Sequence, residues 1–180
     1  MSITKKQTIF DELIENEVLH IGRAVDIGCG NGRDAMEFIK KGFIVDAIDS
    51  DSESTREIPL TENLNIINTK IEDFDLKIDT YDLVSCQFVL HFLSKQDAQK
   101  IISKMIDSAK LNGIITFTLL GSRDDWKDKW STWEVDEISD FMNKFPVKIY
   151  KSVIEEGFGK TRKGTIKYWH IYNLVYRKVA

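Results

Sequence analysis

The feature that most constrains this chain is an alternation of apolar, β-rich runs with helical patterns, beginning with a run that ends in glycines. Residues 23–27 read as a short strand that enters Asp26-Ile27-Gly28-Cys29-Gly30-Asn31-Gly32-Arg33. Residues 33–41 follow as a helix with Ala35, Met36, Phe38 and Ile39 on one side, stopped by Gly42. Strands are expected at 43–48, 64–68, 82–88 and 114–120, with a short helix near Glu53. A well-patterned helix opens at Ser94 and ends at Asn112-Gly113. Ser131-Thr132-Trp133-Glu134 has capping-box spacing and predicts a last helix to about residue 142. Runs at 147–154 and 166–178 close the chain. Strands separated by helices imply parallel βαβ units, whereas the last two runs, joined by a loop, imply an antiparallel hairpin. In the final run Trp169, Ile171 and Val175 face one way and Tyr168, Tyr172, Leu174 and Tyr176 the other, so it should lie inside the sheet. The expectation is an α/β fold: a doubly wound, mainly parallel, seven-stranded sheet with one antiparallel strand near the C-terminal edge and helices on both faces.

Composition narrows the classes. At 180 residues the chain has the length of one domain, expected to span residues 1–180. Hydrophobic residues make up 42%, enough for a core without disulfides. Two cysteines, Cys29 and Cys86, fit neither a disulfide framework nor a zinc site. The N-terminus lacks a signal peptide's apolar stretch, and no run approaches the roughly 18 apolar residues of a membrane span. A cytoplasmic protein without membrane or metal is therefore expected. Net charge is −4, which disfavours nucleic acid as a partner.

The glycine spacing is Gly-x-Gly-x-Gly, not the Gly-x-Gly-x-x-Gly of dinucleotide binders. It suits either a tight strand–helix connection or a turn that brings backbone close to a ligand. Two further acids favour the ligand. Asp49, at the tip of the second strand, could accept from both ribose hydroxyls. Asp73, after the third strand, could accept from an adenine amino group, with Phe74 as an apolar wall. Acids placed after successive parallel strands converge on the crevice where open sheets bind ligands.

Residues 24–33 resemble the first motif of class I S-adenosyl-L-methionine (SAM) dependent methyltransferases. Asp49, Asp73-Phe74, the run Tyr81-Asp82-Leu83-Val84-Ser85-Cys86-Gln87-Phe88-Val89-Leu90-His91-Phe92-Leu93 and Lys110-Leu111-Asn112-Gly113-Ile114 resemble the later motifs in order, although Ile114 stands where a second glycine is usual. Gly-Asn-Gly-Arg and the compact length are most similar to the small tellurite-resistance-like methyltransferases. The resemblance implies a Rossmann-like domain that binds SAM and releases S-adenosyl-L-homocysteine. It implies that Gly28 and Gly30 lie against the methionine part with Asp26 nearby, that Asp49 holds the ribose, and that Asp73 and Phe74 hold the adenine. Gln87 would lie near the amino group and the transferred methyl. Cys29, Ser50 and Glu72 belong to the same expected site, and Arg33 either reaches the SAM carboxylate or caps a surface charge. Residues 1–22 offer one helix, expected to cap the pocket.

SAM arrives activated, so a base is needed only for an acceptor that starts protonated. His91, after the fourth strand, is either that base or a helix-start histidine bonded to backbone. His170 either reaches the active-site end of the sheet or is a core histidine. Trp126, Trp130 and Trp133 form either an aromatic lid over the substrate or packing under the last helix; Trp126 and Trp130 are the candidate substrate contacts. From residue 147 onward the chain carries +6, leaving −10 on the first 146 residues. Arg162, in the hairpin loop, could meet an anionic substrate, although Glu155-Glu156 argues against a simple phosphate trap. The expected activity is methyl transfer to a small molecule by in-line displacement, with thiols and chalcogen oxyanions as implied acceptors. The alternatives are a non-catalytic SAM-binding sensor or partner subunit and an RNA or protein methyltransferase. A nicotinamide dehydrogenase fits the glycine spacing poorly. The oligomeric state has no signature in the sequence.

Overall fold

A computed structural model describes residues 9–161 and 164–180. Five strands, β1 (Arg23–Ile27), β2 (Ile44–Asp49), β3 (Leu64–Asn68), β4 (Tyr81–Cys86) and β5 (Ala109–Gly121), pair in parallel in the order β3-β2-β1-β4-β5. The two-residue β6 (Thr132–Trp133) pairs with the end of β5. Beyond β5 the chain forms the expected hairpin of β7 (Val147–Lys160) and β8 (Ile166–Lys178). β8 lies between β5 and β7 and runs antiparallel to both, so one long strand is reversed.

The central strands are buried on both faces, which is why they are nearly all apolar, whereas the edge strand β7 is largely exposed. On one face Val25, Ile27, Val84, Phe117, Tyr172, Leu174 and Tyr176 pack beneath α4 (Lys95–Ser108) and α5 (Val135–Met142). On the other, Ala24, Val45, Leu83 and Val175 pack beneath α1 (Ile9–Glu15) and α2 (Arg33–Lys40). Tyr172, Leu174 and Tyr176 lie on the face opposite Val175, as the alternation in the sequence requires. α2 stops at Gly42, whose φ is +97°. Ser94 caps α4 by accepting from the Asp97 N–H at 3.1 Å. Asp51 caps the single turn α3 (Ser52–Thr55).

Three boundaries differ from the sequence reading. α4 ends at Ser108, and Asn112-Gly113 lies inside β5 at a register shift against Tyr81–Leu83, with Asn112 at φ +68°. The same left-handed residue that can stop a helix here bulges a strand. The helix after β6 uses Glu134 and Glu137 as its reciprocal cap, because Thr132–Trp133 is held in the sheet beside Leu120–Gly121. Finally, residues 9–22 of the expected cap do not line the crevice at the strand ends but border a smaller pocket with Lys41, and residues 1–8 lie outside the described residues. α1 buries Leu13 against the α2 side of the sheet, with Phe10 edge-on to Phe38 at 4.9 Å, and Asp11 and Glu12 pair with Lys41 and Lys151.

Candidate active site

The strand order reverses between β1 and β4, and their C-terminal ends open on a crevice of about 1210 Å³. Asp26, Gly28, Cys29, Gly30, Arg33, Asp49, Ser50, Glu72, Gln87, His91 and Trp126 line it, as the sequence reading proposed. Asp73, Phe74, Trp130 and His170 do not. Arg162 lies outside the described residues.

The glycine turn explains one arm. Gly28, Gly30 and Gly32 have φ of +73°, +53° and +78°. A Cβ on Gly28 would lie 2.0 Å from Val89 Cγ2, so any side chain there would force the turn away from the loop after β4. The Gly28 and Cys29 N–H groups donate to Ile48 O at 2.7 and 3.0 Å. Gly30 N–H donates to Asp49 Oδ2 at 2.7 Å, while Asp49 Oδ1 accepts from Asp51 N–H at 2.8 Å. Asp49 therefore ties the turn to the end of β2, and each of its oxygens keeps a lone pair for a ligand.

Asp26 is 3% exposed, and its Oδ2 has no partner. Burial, reinforced by the charge of Asp34, pushes its carboxyl up to about 7. Burial and then Asp26 push the Cys29 thiol up to about 12, so it carries no thiolate near neutrality. Arg33 stands at the rim, bound to Asp34 at 2.8 Å. After β3 the chain makes one helical turn, Ile71–Asp73, which turns Glu72 toward the crevice; Phe74 instead packs on the core beneath α4. The acid and apolar wall proposed at Asp73 and Phe74 are thus displaced, and Glu72 is the acid on that side.

The other arm begins past β4. Gln87 Nε2 donates to Thr116 Oγ1 at 3.2 Å. Phe88 sits at φ +58°, a conformation costly for a side chain with a Cβ, and its N–H donates to Thr118 Oγ1 at 2.6 Å. Its ring meets Trp169 edge-on at 6.0 Å, and Trp169 meets Trp126 at 5.3 Å. His91 stacks obliquely 6.0 Å from Trp126. It is 2% exposed, and neither ring nitrogen has a partner. Burial lowers its pKa to about 4, which makes it neutral and a weak base at pH 7.

Behind these rings lies a buried ion pair, Asp124–Lys167, with side chains 0% and 4% exposed. Lys167 Nζ sits 3.8 Å from the Trp169 ring centroid and 4.5 Å from that of Trp126. Asp124 also accepts from Trp126 N–H at 2.9 Å and His170 N–H at 3.0 Å. The pair therefore fixes the loop after β5 to β8.

His170 does not line the crevice. Its ring occupies the space where a Gly121 Cβ would be, 2.1 Å from Nδ1; Nδ1 accepts from Arg123 N–H at 3.2 Å. Its Nε2 lies 3.2 Å from Glu156 Oε1. The three tryptophans divide. Trp126 faces the crevice, Trp130 lies edge-on to Phe92 at 5.0 Å, and Trp133 is buried beside Phe141. Sequence reasoning missed Phe88, Trp169 and the Asp124–Lys167 pair as parts of the site. The alternation in β8 does place Lys167, Trp169 and Ile171 on one face, which was the available signal. Among the described residues no group of three or more His, Cys, Asp or Glu could hold a metal ion.

The strand order with its reversed β8, and a crevice built on a glycine turn with acids after successive strands, define a class: the class I SAM-dependent methyltransferases. Within it the chain belongs to the family of tellurite resistance protein TehB, whose family model matches residues 4–135. No curated protein matches this chain. Among solved structures it is similar to a SAM-dependent methyltransferase from Methanosarcina mazei, with TM-score 0.70 and 15% identity, covering 92% of this chain and 97% of that one. It is also similar to TehB from Haemophilus influenzae, with TM-score 0.75 and 18% identity. That match covers 98% of this chain and 64% of the longer TehB. A third is 1,6-didemethyltoxoflavin-N1-methyltransferase from Burkholderia thailandensis, with 1,6-didemethyltoxoflavin and S-adenosylhomocysteine bound, at TM-score 0.64 and 15% identity over 88% of this chain and 71% of that one. At these identities the structures share the fold.

Proposed function

We propose that this chain transfers the methyl group of SAM to a small-molecule acceptor bound in the aromatic arm of the crevice. The observation that carries the reading is the unpartnered Asp26 Oδ2 at the foot of the glycine turn. A buried carboxylate without a partner is costly, and a ligand ammonium offsets that cost. Asp26 takes the methionine ammonium, Asp49 the ribose hydroxyls and Glu72 the adenine amino group, while Gly28 and Gly30 leave room for the methionine chain. The acids suit a cofactor with a net positive charge and disfavour the diphosphate of NAD.

When bound, SAM supplies an electrophilic methyl carbon: the acceptor's lone pair bonds to it as the carbon–sulfonium bond breaks, and that electron pair stays on sulfur. The chain's own work is positioning. Asp49 and the turn fix one partner, Phe88, Trp126 and Trp169 wall the other, and Gln87 stands between them at the end of β4. The acceptor's proton, if it carries one, passes to solvent. Thiols remain within this reading, and the small molecule 1,6-didemethyltoxoflavin bound in the Burkholderia thailandensis enzyme agrees with it.

Titration calorimetry with SAM, S-adenosylhomocysteine and NAD tests the cofactor arm. Micromolar binding of the first two and none of NAD is expected. Asp49→Ala should weaken SAM by about 1.5–3 kcal/mol, roughly ten- to 150-fold. Unchanged affinity in that variant would remove Asp49 from the ribose site.

A further inference from the structure

We propose that Thr118 is a positioning residue for methyl transfer: its hydroxyl holds Phe88 in the left-handed conformation that sets the aromatic wall of the acceptor arm. The inference rests on the assignment of the glycine-turn arm to SAM, which gives the arm beyond Gln87 to the acceptor.

β4 and β5 separate at this point. Their last paired residues are Cys86 and Phe117, and β5 runs on to Gly121. Phe117 and Leu119 belong to the core beneath α4 and α5, so the alternation of a strand sends Thr116 and Thr118 to the opposite face. Both threonines are buried, and together they receive the chain as it leaves β4. Thr116 Oγ1 accepts from the Gln87 side chain at 3.2 Å, and Thr118 Oγ1 accepts from the Phe88 backbone N–H at 2.6 Å. The Phe88 peptide is thus bound by a side chain standing on the face of the sheet and not by the strand ladder. That bond lifts the chain out of the sheet plane between the two arms.

The lift is costly. At φ +58° the Phe88 Cβ crowds the neighbouring backbone, and with the residue 38% exposed, burial of the ring offsets only part of that cost. Glycine would take the same angle freely but would bring no ring to the arm. What the conformation achieves is a placement. The ring meets Trp169 edge-on at 6.0 Å, while the next side chain, Val89, lies against the glycine turn, where a Cβ on Gly28 would fall 2.0 Å from Val89 Cγ2. A negative φ at residue 88 would send the Cβ off the other side of the backbone and take the ring from Trp169. Strain of this kind persists where surrounding groups enforce it, and it gathers at functional sites. The two threonines therefore differ in role: Thr116 holds a side chain, and Thr118 holds the backbone angle on which the wall depends.

The experiment uses the full chain, labelled with isotopic phenylalanine and with fluorotryptophan, with and without S-adenosylhomocysteine. In wild type the Cα and Cβ chemical shifts of Phe88 should be those of a left-handed residue. Thr118→Val keeps the shape of the side chain and removes the acceptor oxygen. It should move Phe88 to a negative φ and displace the Trp169 fluorine resonance, which is assigned by its loss in Trp169→Phe. Amide exchange at Phe88 should quicken at least about tenfold, with S-adenosylhomocysteine affinity within about twofold of wild type. Thr118→Ser keeps the oxygen and should leave all of these readouts at wild-type values. Should Thr118→Val not fold, the Phe88→Gly background, which needs no such restraint, should let it fold. A Phe88 that stays left-handed in Thr118→Val beside an unmoved Trp169 resonance would overturn the proposal. So would a serine variant that behaves like the valine one, or a Thr118→Val chain that folds in neither background. Failure of the wild-type chain to bind S-adenosylhomocysteine would instead overturn the cofactor assignment, leaving the hold of Thr118 on Phe88 intact but no acceptor for the wall to place.

Discussion

Asp26 and His91 are buried titratable groups that line one crevice, and their pKa values are displaced in opposite senses. The Asp26 carboxyl is raised from 3.8 to about 7, so its contribution to folding is fully present below pH 3.8 and is lost as pH rises through 7. His91 is lowered from 6.5 to about 4, so its contribution is present above pH 6.5 and is lost as pH falls through 4. Each is worth on the order of 3–4 kcal/mol across its window, and the slopes largely cancel between pH 4 and 6.5. Urea unfolding across that range should therefore be nearly flat for wild type. Asp26→Asn should leave stability rising with pH, and His91→Gln should leave it falling. Asp26 also links binding to protons. At pH 6 it is mostly protonated, and an arriving ammonium should ionise it, releasing close to one proton. Calorimetry in two buffers of different ionisation enthalpy measures this release, which Asp26→Asn should abolish. The position of Asp26 was legible from the glycine turn behind it. Its unpartnered oxygen was not, because what surrounds a side chain depends on segments far away in sequence. Phe88 was hidden for another reason: phenylalanine seldom takes a positive φ, and nothing local announces it.

Among the elements, the loop after β5 and strand β8 depend on each other through Asp124 and Lys167. Removing one member leaves a buried charge alone, so Lys167→Met should cost about 3–5 kcal/mol, read from denaturant midpoints. The double variant Asp124→Leu/Lys167→Met should recover much of that loss, and a double-mutant cycle measures the coupling. The β1–α2 turn, α4 from its Ser94 cap, and the buried β8 were all readable from periodicity and caps. The C-terminal end of α4 was not, since Asn112-Gly113 suits a helix stop and a strand bulge equally well. Lys167 was invisible as part of the site for a related reason. A lysine in a strand reads as a solvent-facing residue, and its partner lies 43 positions earlier. His170 shows the converse, a histidine near the right end of the sheet whose ring fills the space above Gly121.

On the scale of the whole molecule, charge is distributed with the site. Asp26, Asp34, Asp49, Asp51 and Glu72 gather around the glycine-turn arm. SAM affinity should accordingly weaken as ionic strength rises, while that of uncharged-at-sulfur S-adenosylhomocysteine should change less; titrations at low and high salt compare the two. The sheet order was legible because strand patterns and connection lengths leave few topologies. The placement of α1 was not, since an amphipathic helix of seven residues does not say which face of a sheet it covers. The crevice has one more property with consequences for descent. Every residue of its glycine-turn arm precedes Phe88 in the chain, and every residue of the aromatic arm follows Gln87. Under the proposed assignment, a single peptide bond divides the chain into a part that holds the methyl donor and a part that meets the recipient. Exchanging the stretch beyond that bond between relatives should transplant taste for one acceptor onto another's donor site, which makes the junction a natural place for such enzymes to diversify.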